Sequence, residues 1–246
     1  MLGTQAAERL PMPEPTPASS ARPARRRAGR PTAAVLDQDG ITTAALELIS
    51  SKGYDGLTMA ALARSLGVAP SALYNHVASK DDVLILLMDH LAAMVDVSAF
   101  GTEPWDEAVR RWAWSYRDVF SAHTPLIPII AVLPVANAPK TLAMYESVTA
   151  GFRDAGFPED RIISAIVALE AFVFGAAYDV TAPDDIFDAG SLAQQVPNFT
   201  AAVDRLSLAG QERPTDAAFV LGLETLIAGF GALRDQVPKG AHQRLR

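Results

Sequence analysis

Between Thr58 and Val77 the chain reads Thr-Met-Ala-Ala-Leu-Ala-Arg-Ser-Leu-Gly-Val-Ala-Pro-Ser-Ala-Leu-Tyr-Asn-His-Val. The spacing is that of helix, glycine turn, helix. In such a pair the first helix crosses a nucleic-acid backbone and the second lies in the major groove. Ala63 is small enough for a close crossing, Gly67 suits a left-handed turn, and Val68 and Leu73 plug the junction. Ser71, Ala72, Tyr74, Asn75 and His76 are then left facing outward on a short second helix. That set is polar without being acidic, although the segment around it is acidic. The same spacing also suits an ordinary helical hairpin, in which Gly67 only ends a helix.

A second cluster precedes this one. Residues 1–36 are rich in Pro, Ala, Ser and Arg and lack apolar periodicity, so they read as a disordered basic arm. Arg25, Arg26, Arg27 and the Gly29-Arg30-Pro31 segment can enter an A·T minor groove, whose strong negative potential attracts arginine. A solvated tail is the alternative. The net charge of −7 is uneven: residues 1–36 hold six Arg against Glu8 and Glu14, while residues 37–90 and 91–246 carry −4 and −7. A basic tail on an acidic body fits a polyanion partner at the tail.

The elements that must hold these residues are helical. Ile41, Ala44, Ala45, Leu48 and Ile49 share one face of a helix opened by Asp37 and stopped by Gly53. Thr58 caps a short helix with Met59, Leu62, Ala63 and Leu66 at the same spacing. Pro70 opens a third, to about His76, and Ser79 with Asp82 forms a capping box for a fourth. Further helices are expected over 104–122, 125–133, 138–155, 158–180, about 198–208, and 213–236, with a loop over 182–197. No alternating β pattern of useful length is present. The expected fold is all-α: an N-terminal three-helix helix-turn-helix domain over 37–90, and a helical domain over 91–246.

Composition narrows the function. The 246 residues are half apolar, an ordinary globular balance. Absence of cysteine excludes disulfides, thiolate nucleophiles and cysteine-held zinc, and is compatible with a reducing cytoplasm. No membrane span is expected: Pro125, Pro128 and Pro134 break one apolar stretch, and Glu170 interrupts another. The start of the chain lacks an apolar signal core. Gly-x-Ser-x-Gly, His-Glu-x-x-His and Walker patterns are missing, and His76, His90, His123 and His242 are scattered, so no catalytic site, metal site or cofactor is expected. A helical ligand-binding or scaffold protein with a vestigial helix-turn-helix is the remaining rival.

Gly56-Leu57-Thr58, Leu62-Ala63, Leu66-Gly67-Val68, Leu73-Tyr74, His76-Val77 and Ser79-Lys80 resemble the N-terminal domain of TetR-family transcriptional repressors. Gly222-Leu-Glu-Thr-Leu-Ile227 with Gly229-Phe230 is similar to the last helix of the tetracycline-repressor-like C-terminal domain. The first likeness covers residues 37–90; between the two patches only the helix layout is similar.

The resemblance implies a ligand-responsive repressor that binds a palindromic operator as a dimer. It places DNA contacts on Thr58, Pro70, Ser71, Ala72, Tyr74, Asn75 and His76, with Lys80 clamping a phosphate. Asn75 suits an adenine edge and Ala72 a thymine methyl, whereas Tyr74, His76 and Lys80 suit backbone positioning. Ala60 stands where the tetracycline-binding members carry a base-reading arginine, so the operator should differ. The resemblance further implies homodimerisation through the last two long helices, by way of Ile166, Val173, Phe219, Leu223, Leu226 and Phe230. A monomer core would give the same pattern. It implies a small-molecule cavity, for which Trp112, Tyr116, Phe120, Ile130, Met144, Phe172 and Tyr178 are candidates. Residues 125–131 lack the histidine that a magnesium-bound tetracycline needs, and His123 fits poorly, so an apolar or amphipathic effector is expected.

Overall fold

Local capping sets the first helices of the computed structural model, which describes residues 36–208 and 214–236. Helix α1 (Gln38–Lys52) begins where the Asp37 carboxylate accepts the Gly40 N–H at 2.8 Å, and ends at Gly53. Thr58 accepts the Ala61 N–H at 3.1 Å and starts α2 (Met59–Ser65). Helix α3 (Pro70–Tyr74) starts on its proline and is two residues shorter than expected. Helix α4 (Lys80–Ala92) carries the expected Ser79–Asp82 capping box.

Next come α5 (Trp105–Ser121), α6 (Ile127–Ile130), α7 (Pro139–Asp154) and α8 (Glu159–Asp179). The last two are α9 (Pro197–Leu208) and α10 (Pro214–Asp235). Short 3-10 turns lie at Tyr54–Gly56, Thr124–Leu126 and Gly190–Gln195; the last falls in the expected loop. Among the described residues there is no strand. The architecture is all-α, with the three-helix head followed by a larger helical body.

Helix α4 packs on α1 and also on α7, so the expected boundary at residue 90 runs through a helix that both parts share. In the body, α8 packs against α5, α7 and α10. Two arginines of α5 fasten α10. Arg110 forks onto Glu224 at 2.6 and 2.8 Å, and buried Arg117 meets Asp216 at 2.6 Å while lying against the rings of Trp114 and Phe219. By length and composition α8 and Thr215–Asp235 would also suit a membrane span. Here their inner faces fill the protein core.

That packing puts part of the expected dimer surface inside the single chain. Ile166, Val173, Phe219 and Leu223 are buried in the single chain, where they fill the core between α8 and its neighbours. Leu226 and Phe230 are half-buried against the same core. Gly222 does permit close approach, but to this chain's own Phe172, whose ring a Cβ there would strike. The opposite faces are the exposed ones. Ile163 (61%), Val167 and Tyr178 form a stripe on α8, and Leu221 (72%), with Thr225, Ala228 and Ala232, forms one on α10.

Candidate nucleic-acid interface and ligand core

The turn between α2 and α3 is built from backbone hydrogen bonds. The Val68 N–H donates to the Ala63 carbonyl at 3.0 Å and the Gly67 N–H to that of Arg64 at 3.1 Å. This paired closure requires a left-handed residue, and Gly67 has φ of 66°. Leu73 and Val77 are buried, which pins α3 across α2.

Ser71, Asn75, His76 and Pro70 are exposed, Tyr74 is 51% exposed, and Ala72 is half-buried. The structure therefore brings the expected reading residues together at one tip, free of packing duties. Thr58 is exposed at the start of α2, with its hydroxyl engaged as a cap. Ala60 is exposed on α2 and offers no hydrogen-bonding group there. Lys80 is held more tightly than the sequence indicates: its ammonium lies 3.7 Å over the Tyr54 ring and 3.4 Å from the Tyr54 carbonyl. Tyr54 thus holds Lys80 at the start of α4, a contact with no signal in the motif. Arg25, Arg26, Arg27 and Arg30 lie outside the described residues. Leu36 and Asp37, where the described chain begins, share an open groove of about 460 Å³ with His76.

The expected ligand residues divide. Trp112, Tyr116, Phe120, Ile130 and Met144 are buried in the body. Tyr116 packs its ring 4.9–5.4 Å from those of Phe120, Trp112 and Phe174. Phe172 instead stacks on Phe219 at 5.4 Å, on the α10 side. Tyr178 is exposed on the outer stripe of α8 and lines no interior space. A cleft of about 470 Å³ lies between Phe157, Arg161 and Phe230, away from all seven.

Sequence reasoning missed two polar groups in this body. Asp89 on α4 accepts the backbone N–H groups of Lys140 and Thr141 at 2.7 and 2.9 Å, which fastens the start of α7. Glu170 on α8 accepts the Tyr145 hydroxyl at 2.7 Å and the Tyr116 hydroxyl at 3.0 Å. Burial pushes the Glu170 carboxyl above its ordinary range, opposed by those two phenols. An acid inside an otherwise apolar helical stretch was the available signal for Glu170. Burial lowers the affinity of His123 for a proton, with His90 nearby adding to the effect. Among the described residues no cluster of three or more acidic or histidine side chains could hold a metal ion.

Known proteins share this arrangement. The pattern described as "Bacterial regulatory proteins, tetR family" matches residues 41–87, and "Tetracyclin repressor-like, C-terminal domain" matches residues 99–234. An HTH-type transcriptional regulator of Saccharopolyspora erythraea is 30% identical, over 82% of this chain and 87% of the relative. The Escherichia coli tetracycline repressor protein class E is 28% identical, over 82% of this chain and 93% of the relative. The crystal structure of the Streptomyces coelicolor TetR family protein ActR in complex with actinorhodin superimposes with a TM-score of 0.65 and 30% identity, covering 81% of this chain and 97% of that one. A helix-turn-helix head with an exposed polar tip, joined to a tetracycline-repressor-like body, places this chain in the tetR family of bacterial regulatory proteins, as a ligand-responsive DNA-binding transcriptional regulator.

Proposed function

We propose that residues 37–90 read the operator and that residues 91–246 bind the effector and pair two copies. The observation that carries the reading is the tip of α3, where Ser71, Tyr74, Asn75 and His76 are exposed together beside the Gly67 turn. In this reading Asn75 and Ala72 contact base edges, while Thr58, Pro70, Ser71, Tyr74, His76 and Lys80 set register on the backbone. One such tip reaches too few base pairs for useful specificity. Two, related by a two-fold axis, read half-sites about 34–36 Å apart. The exposed stripes of α8 and α10 support that pairing, because an apolar surface of this kind is poorly suited to water.

The protein acts as a cytoplasmic repressor, not an enzyme, and an apolar or amphipathic small molecule releases it from a near-palindrome. The complex of ActR with actinorhodin supports a small-molecule effector. Arg25, Arg26, Arg27 and Arg30 contribute flanking phosphate or minor-groove contacts, a reading supported by the excess of arginine over acid in residues 1–36. A gel shift with the DNA upstream of its own gene tests the function. A retarded band of dimer stoichiometry that competitor DNA of unrelated sequence does not remove is expected; its absence would leave a helical ligand-binding protein with an idle head.

A further inference from the structure

Three acidic or basic side chains are buried among the described residues: Asp89, Arg117 and Glu170. Two of them face an opposite charge or dipole. Asp89 faces the positive start of α7 through two backbone N–H groups, and Arg117 faces Asp216. Glu170 differs. It is 8% exposed, and both of its hydrogen bonds, from Tyr145 and Tyr116, fall on Oε1. Among the described residues no hydrogen bond or ion pair reaches Oε2. Tyr116, one of the two donors, in turn packs its ring within 5.4 Å of those of Trp112 and Phe174.

A carboxylate in an apolar place without a cation is costly, since burial disfavours its charged form. The Tyr116 and Tyr145 hydroxyls point at Oε1, so these rings give the carboxylate hydrogen bonds but no positive charge. Both features fit one kind of guest, an organic cation. We propose that Glu170, with the rings of Trp112, Tyr116, Tyr145 and Phe174, receives the protonated amine of an amphipathic effector. The Trp112 Nε1–H, buried without an acceptor among the described residues, gives the same molecule a second anchor for a carbonyl or ether oxygen. The two phenols hold Oε1 from α5 and α7, which leaves Oε2 for the guest. The proposal rests on the effector-responsive reading above and names the chemistry of that effector.

The test uses the full-length dimer without DNA and two matched probes at neutral pH, cationic 9-aminoacridine and largely neutral acridine, titrated by fluorescence. Wild type should bind the cation about tenfold more tightly, the scale of one charge-assisted hydrogen bond to the Glu170 carboxylate. Glu170→Gln keeps the shape and the hydrogen bonds to the phenols, and should bind both probes alike. Tyr145→Phe keeps the charge and should retain the preference, whereas a purely structural role for Glu170 would shift both probes equally. Equal affinities in wild type, no binding of either probe, or a preference that survives Glu170→Gln would overturn the proposal. Operator binding by wild type, measured separately without probe, distinguishes this failure from that of the regulator reading.

Discussion

The head and the α8–α10 pair bury their apolar residues in different ways. Between residues 36 and 93 the one exposed large hydrophobic is Tyr74, which sits at the end of α3. The head's other exposed side chains are polar, charged or small, as a water-facing surface requires. Helices α8 and α10 are apolar on two sides. Phe219, Leu223, Ile166 and Val173 fill the chain's own core, while Ile163, Val167 and Leu221 face outward. In the proposed reading the head is complete as one chain, and the pair is half of a dimer. A hydrophobic count does not separate the two cases; the direction of each face does.

Substitution on the outer stripe should separate them most strongly. Leu221→Asp leaves the chain folded but places an unpaired charge at the partner surface, which costs several kcal/mol if buried. Sedimentation should show a monomer, and operator affinity should fall by roughly a hundredfold or more. A dimer of wild-type strength would show that the stripe is not the contact. At the head, Asn75→Ala should relax one half-site position and cost about 1–3 kcal/mol per half-site. Binding to single-base operator variants checks this, and a loss equal across all variants would reassign Asn75 to the backbone.

The glycines sharpen the comparison further. Gly67→Ala meets no atom within 4 Å but must hold φ of 66°, so it should cost roughly 1–2 kcal/mol through the backbone. Gly222→Ala has the reverse problem, a Cβ pressed into Phe172, and should cost roughly 1–3 kcal/mol through packing. Denaturant unfolding reads both. Phe172→Ala should relieve the second and leave the first unchanged. Removing residues 1–36 should flatten the salt dependence of operator binding, by about 0.9 in logarithmic slope for each phosphate the arm neutralises. Identical slopes with and without the arm would mean that its arginines do not touch DNA.

The smallest effect concerns Glu170. Its folded carboxyl titrates above the ordinary 4.5 because of burial, so the folded state keeps its proton longer than the unfolded chain. Stability contributed by the protonated acid is therefore present below 4.5 and lost as pH rises through the folded value. Glu170→Gln does not titrate. Its melting temperature relative to wild type should climb as pH rises above 4.5 and then level off. A difference that is flat with pH would remove the buried-charge argument.

Much of the head was legible because its signals are local. Asp37, Thr58, Gly67, Pro70 and Ser79 each act on backbone groups a few residues away, and the caps appear where those residues predict. The body was legible as helices but not as faces. Phe172 and Tyr178 were expected beside one ligand, yet one stacks on α10 and the other points outward. Both belong to one helix whose rows are apolar all round, so periodicity cannot tell an inner row from an outer one.

By itself, then, the sequence determined the helices, their caps, the Gly67 turn and the polar tip, because these follow from backbone hydrogen bonding and φ limits within a few residues. Only the tertiary structure decided that Lys80 rests on Tyr54, that Asp89 fastens α7, that Arg110 and Arg117 seat α10, and that two phenols meet on one oxygen of Glu170. These contacts join residues 25 to 114 positions apart. They depend on how helices dock, and docking is settled by the packing of whole faces rather than by any residue's own preference.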